Sequence, residues 1–227
     1  MPDGGLASQP WVSVLVVGAL AFVPFLFMTT TSFVKLSVVL SLLRNALGTG
    51  QVPSGVIITA LAGILTLYVM APVGQAMAAA AAPAAERIDR DEPLAGESFE
   101  AVRETVDQGK EPLLGFLRRH AGEREVALFV DLARRMRSAD ARDAVRSTDL
   151  LVVLPAFLIT ELAEAFQIGF LVFLPFLVVD MVVANVLLAL GMHMLSPTTV
   201  SLPFKLLLFV LADGWFLVSR ALVLGYV

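Results

Sequence analysis

The chain has 227 residues, 58% of them hydrophobic, with 16 Lys and Arg against 20 Asp and Glu and a net charge of −4. Soluble domains carry about 45–50% apolar residues, so a mean hydropathy of +0.84 marks an integral membrane protein. No basic face offers itself to nucleic acid, and the absence of cysteine excludes disulfides, thiolate metal sites and cysteine nucleophiles.

The charges are segregated. Residues 86–149 hold 12 of the 16 basic and 15 of the 20 acidic side chains. The expected organisation is all-α: N-terminal hydrophobic helices over 1–85, a small polar helical domain over 86–149, and a C-terminal hydrophobic hairpin and final helix over 150–227. Met1 to Pro10 carries no basic residue, so it is expected to lead into a retained membrane helix rather than act as a secretory signal.

In chain order, Trp11 to Met28 is long enough for one span, with Pro24 expected to kink or end it. Phe33 to Leu47 is a second apolar run with Lys35 and Arg44 near its ends, and Gly48 to Pro53 is a turn. Val56 to Met70 starts the next helix, which Pro72 and Gly74 should interrupt before the alanine-rich run Ala76–Ala82. Residues 86–97 read as a linker. Ser98 is a candidate cap for a short helix with Phe99, Val102 and Val106 on one face, and Pro112 suits the start of a further piece, Leu113 to Arg119.

Glu123 to Arg137 is a clearer amphipathic helix, with Val126, Phe129, Val130, Ala133 and Met136 as its stripe and charges that match the dipole. Leu150 to Leu190 is about twice the length of one span, so a tight hairpin is expected with its tip at the polar stretch Glu161–Gln167. A loop over Met192 to Ser201 then precedes a final helix from Pro203 to Val227. If the turn after Arg44 is cytoplasmic, the positive-inside tendency is met and the polar domain is periplasmic.

Glu161, Glu164 and Gln167 recur every three residues and so share a helix face, suited to an assembly interface or a hydrophilic path. As metal or acid–base groups they lack histidine support. Within the apolar segments Lys35, Arg44, Lys205 and Arg220 balance Glu161, Glu164, Asp180 and Asp213. Pairing is the cheapest way to bury such groups, through ties within the chain or between subunits. Met192, His193 and Met194 stand just before Ser196-Pro197; methionines there suit either plain packing or a deformable seal. The glycines from Gly48 to Gly55 lack the Lys-Ser/Thr of a phosphate loop, and no nucleophile–base pair is evident.

The string from Thr31 to Gly48, TSFVKLSVVLSLLRNALG, resembles the first signature of the export-gate family of bacterial type III secretion systems. That family comprises the injectisome R subunit (SctR, YscR, HrcR) and its flagellar counterpart FliP. Matching strings follow in order at Leu67–Gly74, Leu154–Phe157, Glu161–Phe170, Leu174–Asp180 and Ser201–Trp215. The polar segment 86–149 matches in position and character only, and the Leu67–Gly74 string is closer to the injectisome branch.

The resemblance implies a non-enzymatic core subunit without cofactors, multi-pass in the bacterial inner membrane. It implies a pentameric ring of this chain joined by S and T subunits, a pore for unfolded exported proteins, and a methionine-containing loop as seal. Met192, Met194 and their loop would narrow the pore, while the Glu161–Gln167 stretch and Phe170 approach the axis or a neighbour. His193 stands where the family often has methionine, so the seal is supported only through its neighbours. A flagellar gate subunit is the alternative, and a small-molecule secondary transporter with broken helices is the rival from another class.

Overall fold

A computed structural model describes residues 10–50, 52–88, 96–138 and 141–227. Among them lie eight helices and no strand: α1 (Pro10–Thr30), α2 (Phe33–Leu47), α3 (Gly55–Ala85), α4 (Gly96–His120), α5 (Glu123–Met136), α6 (Leu150–Ala189), α7 (Pro197–Leu211) and α8 (Gly214–Leu224). The all-helical expectation holds. Both α3 and α6 are long and apolar enough to cross a membrane, and α7 with α8 qualifies as a bent pair.

Four helices run through sequence signals that were expected to break them. α1 continues past Pro24, and α3 past Pro72 and Gly74. An interior proline costs a helix about 3 kcal/mol, but in an apolar medium any other backbone conformation leaves more N–H and C=O groups unsatisfied. At the end of α1, the Thr30 and Thr31 hydroxyls donate to the carbonyls of Leu26 and Phe27, 2.7 and 2.5 Å away. The alanines after Gly74 then favour helix more than any other residue. α4 absorbs both pieces expected around Pro112 and starts at Gly96, which places Ser98 inside the helix rather than at its cap. Of the linker expected over 86–97, residues 89–95 lie outside the described residues, as does the leader Met1 to Gln9.

The largest correction concerns Leu150–Leu190. It forms one continuous helix, and the polar stretch Glu161–Gln167 makes no turn. The residues there are good helix formers, and a buried cation meets their charge, as described below. The hairpin exists one element later. Gly191, in the left-handed region at φ 72°, ends α6. Its N–H donates to Leu188 O at 3.0 Å and that of Met192 to Leu187 O at 2.9 Å, the paired bonds of a Schellman stop. Ser196 and Pro197 then start α7 six residues sooner than expected, because proline suits the first helical position. The expected final helix is also split. Asp213 adopts the left-handed region at φ 51° and α8 leaves α7 at 61°. A Cβ at Gly214 would run into the Phe209 ring, so the bend requires glycine there.

The chain packs as two units, one of residues 1–31 and 70–158, the other of 32–69 and 159–227. In the first, Phe116 of α4 meets Phe157 of α6 edge-on, with ring centroids 5.9 Å apart, beside buried Leu114, Leu117, Val152 and Val153. Gly109 lets α4 approach Ala81 and Met77 of α3. The stripe of α5 lies where its periodicity put it: Val126, Phe129, Val130 and Ala133 are half-buried, whereas Met136 is exposed.

The second unit is built around α2. Leu36, Val39, Leu40, Leu43, Ala46 and Leu47 are buried at helical spacing. Ile58 and Ala62 of α3, Ala165 and Phe176 of α6, Phe209 of α7 and Leu222 of α8 cover them. α2 runs parallel to α6: Lys35 meets Glu161 near the start of α2, and Leu42 meets Gly169 one stretch further along both. A methyl group at Gly169 would collide with the Leu42 side chain. Gly169→Ala is therefore expected to lower unfolding stability in detergent by about 1–3 kcal/mol, the usual range for overpacking. Leu42→Ala in the same chain should return part of that loss, a coupling that a double-mutant cycle measures.

Candidate functional site

The charges inside the apolar segments sort into two buried clusters and a remainder. At the start of α2, Lys35 is 2% exposed. Its Nζ lies 3.0 Å from Glu161 Oε1 and 2.6 Å from Glu164 Oε2 on the next turn of α6. The ammonium also sits 4.4 Å from the ring centroid of Tyr226, whose hydroxyl donates to the other Glu161 oxygen. A cation in the first turn of a helix opposes the dipole; two carboxylates and an aromatic face offset that. Glu161 is fully buried, while the Glu164 side chain is half exposed. Gln167 shares their face by spacing but remains exposed outside the cluster.

The second cluster closes the other end of α2. Lys205 of α7 is buried, with Nζ 2.6 Å from Asp180 Oδ2 of α6 and 3.1 Å from the carbonyl of Ala46. That carbonyl belongs to the last turn of α2, where a helix has acceptors without intrahelical partners and a negative dipole end. One ammonium thus ties α7 to α6 and caps α2. Gly48, at φ 72°, ends α2 and leaves room for it: a Cβ there would stand 3.7 Å from Lys205 Nζ. Fully buried Ser201, one turn before Lys205, donates to Asp180 Oδ1 at 2.5 Å.

Three expected charges remain. Arg44 is half-buried near Gly55, with its Nε enclosed and without a hydrogen bond among the described residues. Asp213 and Arg220 are exposed and form no ion pair there. The carboxylates of the Lys35 cluster are engaged by an ammonium and a hydroxyl, an arrangement that holds helices together.

The expected gate residues occupy two places. Met192, His193 and Met194 crown the α6–α7 turn, all exposed, Met194 almost completely. Phe170 is 63% exposed on the side of α6, about 30 Å along the helix from that turn at 1.5 Å per residue. Between α6 and α7 an apolar groove of about 570 Å³ is lined by Val178, Val182, Val186, Val200 and Phe204. Sequence reasoning missed Tyr226, Ser201 and the Ala46 carbonyl. Ser201 had a faint signal, a hydroxyl one turn from a buried lysine; a lone tyrosine beyond the last helix had none.

The clusters set a prediction. Lys35→Met leaves two carboxylates without their cation, and removing one partner of a buried pair costs about 3–5 kcal/mol. Thermal unfolding in detergent should show that loss. Adding Glu161→Gln to Lys35→Met should recover part of that loss, because it removes the fully buried one of the two stranded charges.

Comparison with known proteins places this arrangement. The family model described as "FliP family" matches residues 16–222. The chain is 44% identical over 213 residues to "Yop proteins translocation protein R" of Yersinia pestis, covering 94% of each. It is 41% identical over 208 residues to "Hypersensitivity response secretion protein HrcR" of Ralstonia nicotianae, covering 92% of this chain and 93% of that protein. To "Flagellar biosynthetic protein FliP" of Pectobacterium carotovorum it is 40% identical over 227 residues, covering 98% of this chain and 81% of that one. With both hydrophobic halves inside the matched region, the chain belongs to the FliP family.

Proposed function

We propose that this protein is a core subunit of the inner-membrane export apparatus of a bacterial type III secretion system, of the injectisome branch. Several copies assemble with S and T subunits around a path for unfolded exported proteins. Its relatives include proteins named for translocation and secretion, and identity to the injectisome-type protein of Yersinia extends over a larger share of that relative than identity to the flagellar one. The role is structural: the chain binds neighbours and shapes a passage, and the buried carboxylates serve helix packing.

One observation carries the assembly. α6 has 40 residues, about 60 Å of helix at 1.5 Å per residue, whereas the hydrocarbon core of a bilayer is about 30 Å thick. Yet α6 exposes large apolar side chains along its whole length, from Leu151 through Phe170 and Leu171 to Leu188. Lipid tails cannot cover a helix of that length standing across the membrane, and water is a poor medium for such a surface. Other chains of the apparatus supply the cover.

The α6–α7 turn supplies the seal. Gly191 and Ser196-Pro197 fix the two helix ends, so Met192, His193 and Met194 project from a rigid base. Unbranched methionines adapt to whatever crosses them, and in a ring of copies these turns close the passage at rest. Deleting residues 191–197 should make membranes holding the assembled apparatus leak small ions, read as bilayer conductance. Unchanged conductance with normal assembly would remove the sealing role. The mass of the detergent-extracted complex, co-expressed with the other apparatus subunits, tests the assembly itself: several copies are expected, and a solitary chain would end the reading.

A further inference from the structure

We infer that Ser201 is a positioning residue for the seal: its hydroxyl sets where the α6–α7 turn stands. The inference rests on the sealing role proposed above and names the side chain that aims it. Ser201 is fully buried in the second turn of α7. Its single proton has two acceptors in reach, Asp180 Oδ1 at 2.5 Å and the carbonyl of Thr198 in its own helix at 3.1 Å. The carboxylate is nearer and charged, so it takes the proton, and the bond runs between helices instead of within one. Asp180 Oδ2 meanwhile holds Lys205 Nζ at 2.6 Å, one turn further along α7. One carboxylate thus grips α7 at two successive turns. Two grips fix a direction, whereas Lys205 alone, on its flexible stem, fixes only a distance.

The geometry beyond that grip gives the serine its reach. On the side away from the turn, the Phe176 and Phe209 rings bring α6 and α7 together, with centroids 6.3 Å apart. On the side of the turn, the apolar groove lined by Val182, Val186, Val200 and Phe204 lies between the two helices. Among the described residues no hydrogen bond or ion pair crosses between α6 and α7 from the grip to the turn. Gly191 stands 11 residues past Asp180, about 16 Å of helix at 1.5 Å per residue. Over that length a change of about 10° between the helices moves the end of α6, and with it Met192–Met194, by about 3 Å. Side chains in contact have heavy atoms within about 4.0–4.5 Å, so a shift of that size parts them.

The test uses the full chain assembled with the other apparatus subunits and compares Ser201→Val with Ser201→Thr. Those two side chains have the same shape and differ in the hydroxyl. Ser201→Val should raise the resting ion conductance of the reconstituted apparatus about tenfold, the weight that one hydrogen bond to a charged group carries. Ser201→Thr should leave it at the wild-type level. A second readout needs no assembly. The chain has no cysteine, so spin labels on Asn45→Cys and Met194→Cys, both at exposed positions, report the distance from α2 to the turn in detergent. Its distribution should be narrow with serine or threonine at 201 and broad with valine. Wild-type conductance in assembled Ser201→Val, or an unbroadened distance, would overturn the positioning role. An equal leak in Ser201→Thr would overturn it too, because shape and not the hydroxyl would then be responsible. If Ser201→Val does not assemble, the distance alone decides. The 191–197 deletion separates this inference from the reading beneath it. A deletion that leaks beside a tight Ser201→Val overturns only the positioning, whereas a deletion that does not leak overturns the seal and this role with it.

Discussion

Two lysines taken out of water decide how the second unit is put together. Lys35 and Lys205 close opposite ends of α2, and neither finds its partner nearby in sequence: Glu161 and Glu164 lie on α6, Asp180 further along the same helix, Tyr226 near the end of the chain. A buried ammonium is tolerated only when paired and hydrogen-bonded. Once both are buried, the register of α2 against α6 is fixed at two points. A slide of either helix by one turn, about 5.4 Å, would break both clusters at once. Apolar packing alone has no such discrimination, because Leu, Val and Ala surfaces fit one another in many registers. The ionic clusters thus supply specificity more than net stability.

That constraint explains a helix whose length is otherwise hard to place. α6 carries Glu161 and Asp180 about 28 Å apart along its axis at 1.5 Å per residue, and α2 with Lys205 of α7 bridges much of that interval. A break at Glu161–Gln167 would swing one cluster away from the other. Continuity of α6 is thus enforced by partners on either side, and the turn moves to Gly191, where the left-handed residue and the proline of the next helix cooperate. The result is a helix longer than a bilayer is thick, with apolar side chains exposed along its outside.

Much of this was legible in the sequence, and the misplaced breaks in the apolar segments share one cause. Apolar periodicity placed α5 and its half-buried stripe, and of the eight charges balanced within the apolar segments five are tied by ion pairs. Length, proline and polarity were then used to place breaks in the apolar segments, at Pro24, at Pro72 and at Glu161–Gln167, and there the helices continue. Those signals are calibrated on chains in water, where a broken helix can hand its backbone groups to solvent. In lipid, or inside a bundle of apolar helices, no such acceptor exists, so the threshold for a break rises. Three of the breaks that do occur use backbone conformations with positive φ, at Gly48, Gly191 and Asp213. The carboxylate partners of Lys35 and Lys205 were named as candidates but not matched, because pairing between different helices leaves no local trace.

The same reasoning separates charges that build the protomer from charges that the protomer only presents. Lys35 and Lys205 are nearly inaccessible and each touches at least two other helices or their ends, so changing them should act on folding first. Among the described residues Asp213, at the bend before α8, and Arg220, on α8, touch no ionic partner, and both are exposed near apolar side chains. The packing of the second unit accounts for the two lysines and not for these two charges, which are costly in apolar surroundings and on which its fold does not depend.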